Sequence, residues 1–173
     1  MPNHRIPVVS VVGRSDSGKT GVMESLIREL TSRGHRVATV KHHHKGDIQI
    51  DVPGKDSWRH ARAGSVTTII SSPETLAVIS RVDRDRTLEE LVQVAGDADI
   101  LLTEGFKRAE TTMVEVIRRA RSDELVSDPA ALWAVITDDA DLVPSGVLVF
   151  RFDEVGTKFA DTIERELLTG SGV

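Results

Sequence analysis

Apolar positions along the chain alternate between short β-branched runs and stretches with three-and-four spacing, a rhythm that predicts strands joined by helices. Val8 to Val12, broken once by Ser10, is the first strand. Val22, Met23, Leu26, Ile27 and Leu30 then recur at helical spacing, and Gly34 stops that helix at the C′ position. Arg36 to Lys41 is a second strand, followed by a polar, histidine-rich segment to about Pro53-Gly54 and a short helix from about Asp56 to Ala63. Val66 to Ile70 and Leu76 to Ile79, with Ser71-Ser72-Pro73-Glu74 as turn material, predict an antiparallel hairpin at one edge of the sheet. Thr87 with Glu90 has the spacing of a capping box, and Leu88, Leu91, Val92 and Ala95 supply the buried face of the helix it starts. Ile100 to Thr103, Val114 to Ile117, Leu132 to Ile136 and Val147 to Phe150 are further strands, and Val155, Phe159, Ile163 and Leu167 line one stripe of a final helix. Such near-continuous apolar strands between helices imply an α/β fold, its sheet largely parallel and covered by helices on both faces.

A chain of 173 residues buries enough apolar surface to fold unaided, so a single domain over residues 1–173 is expected, with only Thr169 to Val173 loose. No cysteine occurs, which excludes disulfides, thiolate metal sites and cysteine nucleophiles and is compatible with the cytoplasm, the expected location. The amino-terminal run is a strand and not a signal peptide, and no stretch approaches the roughly 20 apolar residues of a membrane span. A net charge of −5 argues against a broadly basic nucleic-acid surface, so neither nucleic acid nor membrane is an expected partner. Arg118, Arg119 and Arg121 are candidate anion contacts, for which a solvated loop is the simpler reading.

Charge and composition leave the chemistry to two short motifs. Residues 13 to 20 read Gly13-Arg14-Ser15-Asp16-Ser17-Gly18-Lys19-Thr20, between the first strand and the first helix, which is a Walker A phosphate loop. Four residues between the glycines let successive backbone N–H groups wrap an anion, Lys19 reaches the β- and γ-phosphates, and Thr20 ligates Mg²⁺. The helix that follows points its positive end at the same anion. The fold class is therefore P-loop NTPase-like, and Gly13, Ser15, Ser17, Gly18, Lys19 and Thr20 form the candidate nucleotide-binding set.

The second motif, Asp99-Ile100-Leu101-Leu102-Thr103-Glu104-Gly105-Phe106-Lys107, places Glu104 at the carboxyl end of a buried strand, where open α/β sheets bind ligands. Glu104 can hold the hydration shell of Mg²⁺ or orient an attacking water; a strand-end carboxylate facing solvent is the plainer alternative. Asp51 lies in the segment that in P-loop proteins orders around γ-phosphate and Mg²⁺, or it simply makes a turn. His42, His43 and His44 form a row suited to Zn²⁺ or Ni²⁺, with Asp47, Asp51 and His60 as the nearby further ligands; a phosphate- or partner-facing role and a solvated loop are the other readings.

These residues resemble the family of molybdopterin-guanine dinucleotide biosynthesis protein B, the small GTP-binding proteins of bacterial molybdenum cofactor synthesis. The resemblance rests on Gly13 to Thr20, Val40-Lys41-His42-His43-His44, Asp51-Val52-Pro53-Gly54-Lys55-Asp56-Ser57-Trp58-Arg59-His60 with Ala63-Gly64, and Glu104-Gly105-Phe106-Lys107, with a weaker echo in Glu115-Val116-Ile117-Arg118. It departs at Asp16, where the family has glycine or a neutral residue, at Gly21, where a threonine often follows the Walker Thr, and at Thr103, where an apolar residue is more usual. Asp tolerates unusual backbone angles, but its charge would repel a triphosphate, so Asp16 is left out of the binding set.

The resemblance implies GTP and Mg²⁺ as cofactors, with Thr20, Asp51 and Glu104 at the metal and Lys19 and Glu104 as the catalytic candidates. Guanine selection needs an acid beyond a late strand, and Thr137-Asp138-Asp139 offers two, of which Asp138 is favoured. No Asn-Lys-x-Asp motif is present, so GTP over ATP comes from the resemblance. The implied function is a GTP-binding accessory protein with weak hydrolysis that assists the molybdenum cofactor guanylyltransferase, as a homodimer, with molybdopterin as a further candidate ligand. Alternatives are a metallochaperone GTPase using His42 to His44, a small-molecule kinase in which Lys41, Lys55 or Arg59 holds an acceptor and Asp51 is the base, and a non-enzymatic adaptor whose nucleotide state sets partner affinity.

Overall fold

In the computed structural model, residues 6–43, 48–106 and 111–169 are described. His44, Asp47, Lys107 and the tail from 170 onward lie outside the described residues. Two compact units result, one of Met1–His42 with Leu88–Val173 and one of His43–Thr87.

The larger unit is built on β1 (Val8–Val12), whose burial leaves no room for polar side chains without partners. Helix α1 (Lys19–Ser32) follows, then β2 (Val37–Lys41), α3 (Leu88–Ala95), β5 (Ile100–Glu104), β6 (Thr112–Ile117), β7 (Leu132–Thr137) and β8 (Leu148–Phe150). The closing helix runs through Val155–Phe159, α4 (Ala160–Ile163) and Glu164–Leu168, its outer segments wound in wider π-helical turns. All six strands of this unit pair in parallel in the order β2-β5-β1-β6-β7-β8, as the β-branched runs and intervening helices predict.

The strands are buried almost continuously, and the alternation of side-chain direction divides their residues between two faces. Val9, Val11, Ile100, Leu102, Val114, Val116 and Ile136 pack with Val22, Leu26 and Leu30 of α1 and with Val155, Phe159 and Ile163 of the closing helix. Leu26 is completely buried, and truncation of such a side chain to alanine costs about 2–5 kcal/mol. On the opposite face Val12, Met113, Ile117, Leu132 and Val135 are covered by Leu125, Leu142, Val143 and Val147 from the connecting segments. Glu115 lies in β6 on that side and is buried, its two carboxylate oxygens accepting the N–H groups of Val126 (2.7 Å) and Ser127 (3.0 Å). The acid thereby fastens the covering segment to the sheet.

Helix α1 stops as its sequence predicts. Gly34 takes φ 91°, its N–H donates to Thr31 O and the His35 N–H donates to Leu30 O, which is the Schellman pattern. The smaller unit holds α2 (Asp56–Arg62) and the hairpin of β3 (Thr67–Ser71) with β4 (Leu76–Ser80). The hairpin forms where the turn residues place it, but as a two-stranded sheet of its own and not as an added edge of the parallel sheet. Its local partner is α2, where Arg81 donates from its guanidinium to the Ala61 carbonyl.

Beyond α1, Arg33 donates to Glu29 (2.9 Å), Asp161 (2.7 Å) and Glu164 (2.9 Å), and His35 Nε2 bonds Glu164 Oε1 at 2.8 Å. The His35 ring first, and the Arg33 guanidinium second, hold the Glu164 carboxyl below its ordinary value of 4.5. A carboxylate whose folded value is depressed contributes stability that is complete above its unfolded value and is lost as pH falls through the folded one. Below pH 4.5, then, the urea midpoint of the wild type should fall more steeply than that of Glu164→Gln, and parallel acid limbs would show that this cluster does not support the fold.

Candidate functional site

The turn from β1 into α1 is shaped by close contacts that only glycine allows. Gly13 adopts φ 140°, and a Cβ built there would lie 2.3 Å from the Val116 carbonyl oxygen. Asp16 is the one described non-glycine residue with positive φ, at 58°, so the aspartate supplies the left-handed turn that glycine would otherwise supply. Gly18 caps α1 at φ 101°, with no side chain to satisfy the first N–H groups of the helix. Ser17 is 2% exposed, and its Oγ has no hydrogen-bond partner among the described residues. Lys19 Nζ folds back onto the loop, donating to the carbonyls of Gly13 (3.1 Å) and Arg14 (2.6 Å). Ser15 and Thr20 are exposed at the same turn. An uncapped helix start, an ammonium group and a buried hydroxyl without a partner are together the donors that a phosphate chain requires.

Strand register brings the predicted carboxylate to this turn. Glu104 pairs with Val11, two residues before Gly13, and on its other side with Lys41. Its carboxylate is half-buried, with Lys41 Nζ at 3.6 Å. Directly below, the Thr103 hydroxyl bonds the Ser10 hydroxyl at 2.9 Å, and Thr111 donates to Ser10 at 2.8 Å. The polar residue at 103 thus answers the serine that interrupts β1, and both are fully buried. Thr20 and Glu104 offer only oxygen donors, the set that suits Mg²⁺ carried on phosphates with one or two protein ligands. Among the described residues no three His, Cys, Asp or Glu side chains converge as a protein-built metal cage.

The other side of β1 carries groups that the sequence left ambiguous. Asp138 follows β7 and is exposed, and its Oδ1 accepts the Arg119 N–H at 2.9 Å, so one of its oxygens is already engaged. Asp139 accepts from Asp141 N and lies 3.5 Å from the Arg119 guanidinium. Arg118 stands over the ring of Phe152 at 4.0 Å, and both crowd Gly18, where a Cβ would come within 3.2 Å of each. Phe152 was not singled out by its sequence; the signal was an aromatic residue directly beyond the last strand. His42 continues β2, its N–H donating to Glu104 O, and its ring packs on Phe106 with centroids 4.9 Å apart. In the smaller unit Asp51 accepts the Val52 N–H (2.8 Å) and the Ser57 hydroxyl (3.1 Å), the local pattern of a turn.

A family model described as "Molybdopterin guanine dinucleotide synthesis protein B" matches residues 8–138. The chain belongs to the MobB family. The molybdopterin-guanine dinucleotide biosynthesis adapter protein of Haemophilus influenzae is 35% identical over 138 residues, which cover 79% of this chain and 77% of that protein. Its counterpart in Escherichia coli is 33% identical over 130 residues, covering 71% and 74%. Among solved structures, Bacillus subtilis MobB superposes with a TM-score of 0.74 at 27% identity, over 92% of this chain and 96% of that one. The matched region includes the phosphate loop, Glu104 and Asp138, whereas Phe152 lies beyond it. As a MobB-family member the chain is an accessory protein of molybdenum cofactor biosynthesis.

Gly13 of the loop and Gly21 of α1 should respond oppositely to the same substitution. Gly13→Ala drives a methyl group into the Val116 carbonyl and is expected to lower thermal stability and abolish ligand binding at the loop. Gly21, inside α1 with nothing within 4 Å of its virtual Cβ, should as alanine gain about 0.5–1 kcal/mol in urea unfolding. Equal effects at both positions would contradict this geometry.

Proposed function

We propose that this MobB-family chain is a GTP-binding adapter that serves the guanylyltransferase joining GMP to molybdopterin, with weak hydrolysis of its own. The observation that carries the reading is the buried Ser17 hydroxyl without a partner among the described residues, inside a loop whose first glycine lies against the β6 backbone. Gly13, Ser15, Ser17 and Gly18 wrap the phosphates, Lys19 leaves its loop carbonyls for the β- and γ-oxygens, and Asp138 turns its second carboxylate oxygen to the guanine edge. Thr20 and Glu104 are the residues that would hold Mg²⁺, with Asp51 of the smaller unit kept as a further candidate ligand. When bound, the ion supplies neutralisation of phosphate charge. The Lys41 ammonium lies 3.6 Å from the Glu104 carboxylate and would have to share it with the ion. Lys19 and Glu104 are the groups available to stabilise a leaving phosphate and to orient water, which predicts slow turnover below the roughly 1–100 per second of kinases.

Support for the adapter reading comes from the Haemophilus influenzae and Escherichia coli relatives, both molybdopterin-guanine dinucleotide biosynthesis adapter proteins. Titration calorimetry with GTP and Mg²⁺ tests it. Wild type should bind GTP in preference to ATP, Lys19→Ala should lose binding at least about 100-fold, of the order expected for a charge-assisted contact to phosphate, and Asp51→Asn should weaken the Mg²⁺ dependence. An ATP preference, or a Lys19→Ala protein indistinguishable from wild type, would remove the assignment.

The pairing surface we assign to a second copy of the chain is the β3–β4 ribbon. Ile69 and Val78 are opposite one another and 62% and 57% exposed, Leu76 beside them is 68% exposed, and a two-stranded sheet leaves both edges open. A homodimer would bury this apolar face and complete those edges. Light scattering should give a dimer for wild type and a monomer for Ile69→Lys; a monomeric wild type would refute the pairing.

A further inference from the structure

On the side of β1 away from Glu104, the guanidinium carbon of Arg118 stands 4.0 Å from the centroid of the Phe152 ring, and both side chains press on the last glycine of the phosphate loop. We propose that Arg118 and Phe152 form the platform for the nucleobase of the bound nucleotide, with the guanidinium sandwiched between phenyl ring and base. This inference rests on the nucleotide-binding reading above and extends it to the nucleoside end of the ligand.

Topology gives the orientation. The sheet order β2-β5-β1-β6-β7-β8 puts the carboxylate of Glu104 on one flank of β1 and the ends of β6, β7 and β8 on the other. A phosphate chain whose metal-bearing end lies toward Glu104 must carry its nucleoside over that second flank, where Arg118 follows β6, Asp138 follows β7 and Phe152 follows β8. Gly18 has a second function there. Its Cα approaches Arg118 Nε and Phe152 Cε1 so closely that a Cβ would stand 3.2 Å from each, so the stack sits directly against the turn that holds the phosphates.

The chemistry of the pair suits a flat, electron-rich ring. Among the described residues the Arg118 guanidinium meets no carboxylate, and the residue is exposed while Phe152 is half-buried. The phenyl ring supports the guanidinium from one side, and the exposure of Arg118 leaves it accessible to a second aromatic surface. Asp138, held by the Arg119 N–H, lies on the segment beside it and would meet the base at its edge while Arg118 meets it at its face. Planar stacking depends on the delocalised guanidinium and not on charge alone, so lysine cannot replace it.

The test compares GTP with inorganic triphosphate, which has the phosphates but no base, by calorimetry on wild type, Arg118→Ala, Arg118→Lys, Phe152→Leu and Lys19→Ala, each checked for an unchanged melting temperature without ligand. Both Arg118 variants and Phe152→Leu should weaken GTP about tenfold, the scale of a desolvated cation–π contact, while triphosphate binding is unchanged. Rescue by lysine, or an equal loss for triphosphate, would make Arg118 a phosphate cation and overturn the platform. GTP affinity unaffected in all three would make the pair a structural brace. Lys19→Ala keeps the two failures apart: if it binds GTP as well as wild type does, or if wild type binds none, the nucleotide reading itself fails and the platform falls with it.

Discussion

The approach of β6 to the loop after β1 sets the terms for everything else in the larger unit. At Gly13 the backbone passes so near the Val116 carbonyl that a single methyl group would collide with it, and the chain can make that passage only at a φ that L side chains rarely adopt. Once β1 has turned there, Asp16 and Gly18 continue the turn at positive φ, and α1 starts at an uncapped glycine. The same close passage brings the end of β6, and with it Arg118, against Gly18. A parallel sheet with β1 in its centre is what puts two strands, β5 and β6, in reach of one loop.

Much of this was legible from residue types alone, because the determining features are local. The near-continuous apolar strands, the three-and-four spacing of α1, the Gly34 stop and the hairpin turn each follow from short-range geometry, and all of them form within a residue or two of expectation. The Walker spacing likewise carries its own mechanics. What escaped were contacts between residues far apart in the chain. Thr103 reads as a departure until Ser10 is seen opposite it, 93 positions away. Glu115 reads as an echo of a family strand, whereas its carboxylate is a buried anchor for the Val126 and Ser127 amides. Arg118 reads as one of three solvated arginines because nothing local announces that Phe152 will lie beneath it. The independence of the hairpin was invisible for the same reason: its turn is encoded nearby, but the surface it packs on is not.

Asp16 illustrates how a departure from a family pattern can be conformationally conservative and chemically costly at once. Its φ of 58° shows that the left-handed turn is retained by the residue type most tolerant of it after glycine and asparagine. Its carboxylate nevertheless adds negative charge next to the loop proposed to hold phosphates. On the proposed reading, an adapter tolerates such a charge more readily than a fast hydrolase would, since modest affinity and slow turnover suffice when nucleotide serves to prepare a partnership.

The central claim is that residues 14–20 close around a phosphate chain, and hydrogen exchange of those backbone amides reads it most directly. Saturating GTP with Mg²⁺ should slow exchange through the loop and the first turn of α1 while leaving the β3–β4 ribbon unchanged. Exchange in the loop that is identical with and without nucleotide, in protein shown by other means to be folded, would contradict the account.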